Sequence, residues 1–445
     1  MRIYSVEDAM NSILKRQPFG LDTVSTRTLD GIKTIFQEAL SPSEAVARIL
    51  KDVRTGGDKA LISWNSRLDN SSDPELLVPA LELENAVKSL PDSELEALRY
   101  SIERIRAFHR RQPASSWIEQ SAGGTMGQLL RPIQRVGIYV PGGTAPLPSS
   151  VLMSVVPAQV AGVEEIVICS PADRGSGRIS TVTLAAAALV GVEEVYAIGG
   201  AQAIAALAYG TETIRPVDKI FGPGNIFVTL AKQQVFGAVG IDSLAGPTET
   251  VIIADDSANP EWVALDLLAQ AEHDPLATAI LLTPSSSLAE KVTIEIDRLI
   301  NGSPSFSRQA ILDQSLNDRS GMVVTADLAE AVSLSNAYAP EHLNLVVSDP
   351  WAWIPMITSA GGIFVGEHSF EVLGDYAAGP SHVMPTGGSA RYASPLNVWD
   401  FLHIISFVAL SSGEDAQIVA KASSTIAHME GLDAHARSAE ARLSQ

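Results

Sequence analysis

Residues 162–202 read GVEEIVICSPADRGSGRISTVTLAAAALVGVEEVYAIGGAQ. The opening Gly162-Val163-Glu164-Glu165-Ile166 recurs 29 residues later as Gly191-Val192-Glu193-Glu194-Val195. Each copy leads into a short apolar run, 166–169 and 195–198, of the kind that forms a buried strand. Between them, 180–190 reads as a helix. Parallel strands need a helical crossover, and this period suits one βαβ unit. Chance likeness of two helix-to-strand junctions is the alternative; the matched strands favour structural equivalence.

Working outward, 136–140 reads as a preceding strand, 202–209 as a short helix, and Ile220 lies in a further strand with a helix after Asn225. A second α/β series begins at 251–254. It continues as helix 260–273, strand 279–282, helix 288–300, strand 323–325, helix 328–338 and strands 343–347 and 363–365. On the amino-terminal side, Ser41-Pro42-Ser43-Glu44 is a capping box with Pro at the first helical position. The helix it opens is expected to stop near Gly56-Gly57. A second helix, 92–111, places Leu95, Leu98, Ile102, Ile105 and Phe108 on one face. After Pro395 the chain reads as helical to its end. The expected architecture is two Rossmann-like α/β domains with a small helical N-terminal segment and a helical C-terminal tail. Its boundaries are 1–40 for the N-terminal segment, 41–137 with 251–396 for a discontinuous first α/β domain, 138–250 for the second, and 397–445 for the tail.

Composition narrows the function. Of 445 residues, 31 are Lys or Arg and 51 are Asp or Glu, a formal charge of −20. That balance argues against nucleic acid and against anionic membrane surfaces as partners. The single cysteine, Cys169, excludes an intrachain disulfide and, within one chain, a structural zinc site of four cysteines or of two cysteines and two histidines. It sits in an apolar strand and reads as core packing. The start of the chain lacks a signal-peptide pattern, so a cytoplasmic location is expected.

Candidate chemistry lies in a few places. Gln270 and His273 fall three apart on a helix and share a face, where both could ligate a metal or simply form a polar surface. Glu341 and His342 are adjacent between a helix and a strand and could serve as general bases; the plainer reading is a boundary pair bonded to backbone. In the glycine-rich 373–382 loop, Asp375 is a possible metal ligand and His382 a possible substrate contact. Glu430 and His435 sit in a helical tail whose ordinary reading is a solvated face. Three glycine-rich turns follow strands and precede helices: Tyr139-Val140-Pro141-Gly142-Gly143, Ile198-Gly199-Gly200-Ala201-Gln202 and Phe221-Gly222-Pro223-Gly224-Asn225. Open α/β sheets bind ligands at such strand ends, so a nucleotide-like ligand is favoured over plain tight turns, although no G-x-G-x-x-G fingerprint occurs. Gly246-Pro247-Thr248-Glu249 could deliver a hydroxyl to a substrate.

These turns, with Gln-Ala-Glu-His at 270–273, Ala-Pro-Glu-His-Leu at 339–343 and Gly-Asp-Tyr-Ala-Ala-Gly-Pro-Ser-His at 374–382, resemble the histidinol dehydrogenase family in content and order. The likeness spans about Ser41 to His435. It implies a zinc-containing, NAD-dependent enzyme that oxidises L-histidinol to L-histidine through L-histidinaldehyde, the last steps of histidine biosynthesis. It implies one Zn2+ per subunit, held by Gln270, His273, Asp375 and His435. Tyr139, Gln202 and Asn225 would contact NAD. Thr248, Gln270, His273, His342, Asp375, His382, Glu430 and His435 would surround the substrate, with Glu341 and His342 as acid/base residues. It further implies a homodimer in which Glu430 and His435 complete the partner's site. Ser381 stands where Asn is expected, and His368 is an extra histidine near the loop. His109, His403 and His428 read as structural or surface residues. A relative acting on another small alcohol, such as a sulfonated diol, and a zinc hydrolase are the alternatives.

Overall fold

The computed structural model describes residues 1–16, 24–69, 75–121, 124–142, 146–173, 175–302, 305–410 and 413–443. It divides into two compact units, Met1–Arg111 with Gln134–Asn397, and Gln112–Ile133 with Val398–Gln445. Among the described residues, the first unit carries two parallel sheets. One has five strands in the order Glu194–Ala197, Glu165–Ser170, Arg135–Tyr139, Lys219–Phe221 and Gly240–Ile241. The other has six, in the order Ile3–Tyr4, Gly321–Val324, Thr278–Thr283, Glu249–Ala254, His342–Val346 and Gly362–Val365. Glu249–Ala254 and Thr278–Thr283 are buried along their whole length. Strands covered on both faces read as unbroken apolar runs rather than alternation, which is what the sequence displays.

The repeat is structural. Its two glycines, Gly162 at φ 90° and Gly191 at φ 73°, take the left-handed conformation just past helices Pro148–Ala161 and Thr181–Leu189. That conformation is open to glycine and strained for most other residues. The second glutamate of each copy then opens a strand. Both carboxylates turn to one cation: Arg135 Nη1 donates to Glu165 Oε2 at 2.8 Å, and Arg135 Nη2 to Glu194 Oε2 at 2.6 Å. The recurring Glu therefore ties three neighbouring strands at one end of the sheet.

Several element boundaries differ from expectation. The helix opened by the Ser41 box runs Pro42–Leu68, with Gly57 breaking it at φ 52° and ψ −140°. Glu212 accepts the Asp58 N–H at 2.7 Å there, and Leu61 and Trp64 carry the buried face onward. This helix shares its core with the five-stranded sheet: Val46, Ile49 and Val53 pack among Tyr139, Val167 and Ile204. The N-terminal segment is not purely helical, because Ile3–Tyr4 adds a strand to the edge of the six-stranded sheet. A further helix, Ala80–Ser89, precedes Asp92–His109.

The second unit holds an antiparallel sheet in which Gly124–Pro132 pairs with Trp117–Ser121 and with Leu402–Leu410. The helical reading from Pro395 omitted Leu402–Leu410, since a short apolar run has no periodicity that separates strand from helix. Helices Glu414–Met429 and Asp433–Glu440 close the chain as expected, linked by Ser424 Oγ donating to Glu440 Oε1 at 2.8 Å. No helix among the described residues is long and apolar enough to cross a membrane.

Candidate active site

Helix Leu328–Tyr338 ends at Ala339, a non-glycine residue at φ 52°. Pro340 cannot continue the helix. Arg16 holds this turn: its Nε donates to the Tyr338 carbonyl at 2.9 Å, its Nη2 to the Ala339 carbonyl at 3.1 Å, and it forms an ion pair with Glu249. Glu341 and His342 follow, and His342 opens a central strand in register with Thr250 on one side and Gly362 on the other.

Both side chains are buried. Glu341 Oε2 accepts the Glu249 N–H at 3.2 Å and lies 2.6 Å from Thr248 Oγ1. Burial pushes its carboxyl up to about 8. Burial, followed by the neighbouring His382 and His273, pushes the His342 imidazole down to about 3. His342 Nε2 stands 3.6 Å from Glu341 Oε2 and 3.5 Å from Glu371 Oε1. At neutral pH the imidazole is therefore uncharged and the carboxyl mostly protonated, so this is an acid beside a base and not an ion pair.

The predicted metal and substrate residues of the first unit gather around this pair. Gln270 lies in the last turn of helix Pro260–Ala271, and its Oε1 is 3.1 Å from Thr248 Oγ1. His273 follows the helix, its N–H bonded to the Gln270 carbonyl at 3.1 Å. Burial, then the charge of Arg308, lowers its pKa. Asp375 lies in helix Glu371–Tyr376, and burial raises it to about 6. His382 Nδ1 is 2.9 Å from the Asp375 carbonyl, which orients the ring; burial takes its pKa down to about 4. Asp375 also raises both Glu341 and Glu371 electrostatically. Glu430 and His435 belong to the second unit and are exposed. Among the described residues no three His, Cys, Asp or Glu side chains converge as a metal cluster.

The expected cofactor residues lie at the ends of the five-stranded sheet. Tyr139 is buried and its hydroxyl accepts the Gly200 N–H at 3.2 Å. Gln202 is buried too. Its Nε2 donates to Asp69 Oδ2 at 3.1 Å, while its Oε1 has no hydrogen-bond partner among the described residues. Asn225 is exposed and caps helix Ile226–Val235 by accepting the Phe227 and Val228 N–H groups at 3.0 and 3.2 Å. Gly143 of the first turn lies outside the described residues.

Sequence reasoning missed Glu371 and Arg16. Glu371 is buried against Thr250, whose Oγ1 lies 3.0 and 2.8 Å from its two carboxyl oxygens. Its position four residues before Asp375, on the same helical face, was the available signal. Nothing local marked Arg16, whose partners are more than 200 residues away. Ser381 is a structural tie: it donates to the Met153 carbonyl at 3.1 Å and accepts the Val383 N–H at 3.2 Å. The His368 ring lies 5.6 Å from that of Trp262, tilted by 56°, and both residues line a cavity of about 450 Å³ with Asp266, Phe306 and Phe370. Burial pushes the Cys169 thiol up, which keeps it inert.

Parallel sheets with glycine turns at their strand ends, and a buried carboxyl next to an imidazole, are the parts of an α/β enzyme that binds a ligand at its strand ends. A family model described as histidinol dehydrogenase matches residues 36–443. The chain belongs to the histidinol dehydrogenase family, NAD-dependent oxidoreductases that oxidise histidinol to histidine in histidine biosynthesis. Histidinol dehydrogenase of Deinococcus radiodurans is 50% identical over 420 residues, 94% of this chain and 95% of that one. That of Moorella thermoacetica is 50% identical over 400 residues, 89% of this chain and 93% of that one. The crystal structure of histidinol dehydrogenase from Elizabethkingia anophelis superposes with a TM-score of 0.89 at 35% identity, covering 100% of this chain and 98% of that one. Neither the sulfonated-diol alternative nor the hydrolase is favoured.

Proposed function

We propose that this enzyme takes L-histidinol through L-histidinaldehyde to L-histidine in two successive oxidations, with Glu341 and His342 as acid/base residues. The observation that carries this reading is the burial of a carboxyl and an imidazole 3.6 Å apart, with the Thr248 hydroxyl between Glu341 and Gln270. His342, kept neutral, accepts the hydroxyl proton of the alcohol as hydride leaves its carbon. The second oxidation needs water added to the aldehyde. Glu341 rests protonated; once it has released that proton to solvent, its carboxylate accepts a proton from the water while the Glu249 N–H and the Thr248 hydroxyl donate to its Oε2. Enclosure of the site keeps the reactive aldehyde from free amines. Thr248, Gln270, His273, Asp375 and His382 surround the substrate. NAD, when bound, supplies the hydride acceptor for both oxidations; we assign it to residues 138–250, over the turns that carry Tyr139, Gln202 and Asn225. We assign the chemistry to 41–137 with 251–396.

The donors Gln270, His273 and Asp375 fit a zinc ion. They offer an amide oxygen, an imidazole and a carboxylate, and burial keeps His273 in the neutral form that binds metal. His435 of a second copy would be the fourth ligand. Zinc, when bound, supplies a Lewis-acidic centre that orients the substrate's amino and imidazole nitrogens. The reading of a homodimer is supported by the second unit, which exposes Ile118, Ile404, Val408, Ile418, Ile426 and Met429. Large exposed apolar side chains on so small a unit are the kind of surface that a partner covers. Glu430 would join His435 in the partner's site, and the enzyme would work in the cytoplasm.

The test is NADH formed per L-histidinol, with and without a chelator. Two NADH per substrate, lost on chelation and restored by zinc, are expected. A yield of one NADH would overturn the two-step reading, and full activity in chelator would overturn the zinc.

A further inference from the structure

We propose that Lys232 and Asp242, a buried ion pair behind the 222–225 turn, act as positioning residues for the NAD site. The inference rests on the reading of Asn225 as a cofactor residue. The side chains are only 3% and 5% exposed. They hold the same residue through its two flanking peptide groups: Asp242 Oδ2 accepts the Gly222 N–H at 2.8 Å, and Lys232 Nζ donates to the Gly222 carbonyl at 2.9 Å. Asp242 Oδ1 receives the Lys232 ammonium and also the Ser243 N–H, the latter at 2.6 Å.

Gly222 is where the turn departs from its strand. It sits at φ 110°, and a Cβ there would lie 2.0 Å from the Tyr139 carbonyl oxygen. The backbone that leads to Asn225 thus packs directly on the backbone of Tyr139. Lys232 lies on helix Ile226–Val235, which Asn225 caps, and Asp242 follows strand Gly240–Ile241. The pair therefore joins strand end, turn and helix into one rigid support. Desolvating two charges is costly, and a hydrophobic pair of similar volume would stabilise a core as well or better. An apolar pair could not grip both the N–H and the carbonyl of Gly222. What the charges supply is orientation: the cap and the turn are set before the dinucleotide arrives, which lowers the ordering cost of binding it.

Lys232→Met and Asp242→Asn should each raise KM for NAD by about 10- to 100-fold, while KM for histidinol and kcat at saturating NAD change little. Asn225→Ala is the control. If it raises KM for NAD and the two pair variants, folded by circular dichroism, do not, the support role is wrong. If Asn225→Ala also has no effect, the cofactor assignment itself is wrong. A pair variant that lowers kcat and raises both KM values alike would mark a general structural role and overturn the proposal. Hydrogen exchange on the unmodified enzyme reads the same support without mutation. The Gly222 amide should be protected before NAD is added, and exchange as fast as an open loop would refute the inference.

Discussion

Glu341 Oε2 and His342 Nε2 lie 3.6 Å apart, yet burial moves their proton affinities in opposite directions, the carboxyl up to about 8 and the imidazole down to about 3. Each charged form is disfavoured by the same dry surroundings, so the resting pair is neutral beside neutral. A base that is free of its proton and an acid that still holds one can both act without prior charge separation.

His342→Asn removes the proton acceptor for the alcohol while keeping a polar side chain of similar reach. We expect kcat to fall by about 10²–10⁴-fold with KM for histidinol little changed. Steady-state kinetics decide it, and an unaltered kcat would reject the role.

The opposed shifts also predict a pH signature in stability. Below pH 6.5 an unfolded histidine takes up a proton that buried His342 and His382, with values near 3 and 4, refuse. Their contribution is present above 6.5 and is lost as pH falls. Glu341 has the opposite sign: its folded value of about 8 exceeds the ordinary 4.5, so its contribution is whole below 4.5 and is lost as pH rises to 8. Between 6.5 and 8 the histidines no longer oppose it, so stability should decline with rising pH. Asp266, pushed up to about 7 by burial, and Glu371, raised well above the usual carboxylate range, act with the same sign, so Glu341→Gln should lessen that decline without removing it, read as urea midpoints across the window. An equal decline in the variant would show that Glu341 is already ionised.

Arg135 is nearly buried, its side chain 6% exposed, between Glu165 and Glu194, which are about a third exposed. The guanidinium hydrogen bonds hold both carboxyls below their ordinary range. Arg135→Met should destabilise the fold by about 2–3 kcal/mol, below the full value for a buried pair because water reaches the carboxylates. The wild-type advantage should shrink as pH falls below the ordinary glutamate value of 4.5, where the carboxyls take up protons. Thermal melts of both proteins test this, and equal melting temperatures would reduce the network to surface decoration.

The proposed exchange of tails between subunits makes a complementation test possible. His342→Asn and His435→Ala should each be inactive alone. Co-expressed, they should recover activity, because one of the two sites in a mixed dimer then has neither defect. No recovery from a verified mixed dimer would place His435 in its own subunit's site or in none.

Much of the architecture was legible along the chain. Buried parallel strands must be apolar on both faces, so runs such as 251–254 and 279–282 announce themselves, and a capping box or a glycine past a helix is a local event. The repeat at 162 and 191 was visible for the same reason. Motif order pointed to the family, and the first-unit residues it singled out, Thr248, Gln270, His273, Glu341, His342, Asp375 and His382, do gather in one place. Three things escaped. Leu402–Leu410 is a strand only because Gly124–Pro132, some 280 residues earlier, lies beside it. Arg16 matters only because Tyr338, Ala339 and Glu249 are brought to it. The protonation of Glu341 depends on how much water the packed sheets exclude. Elements and motifs were decided by short-range sequence, where propensity and periodicity act. Partners distant in the chain, and the charge state of the groups they enclose, were decided by tertiary packing, because desolvation and long-range contacts exist only once the chain is folded.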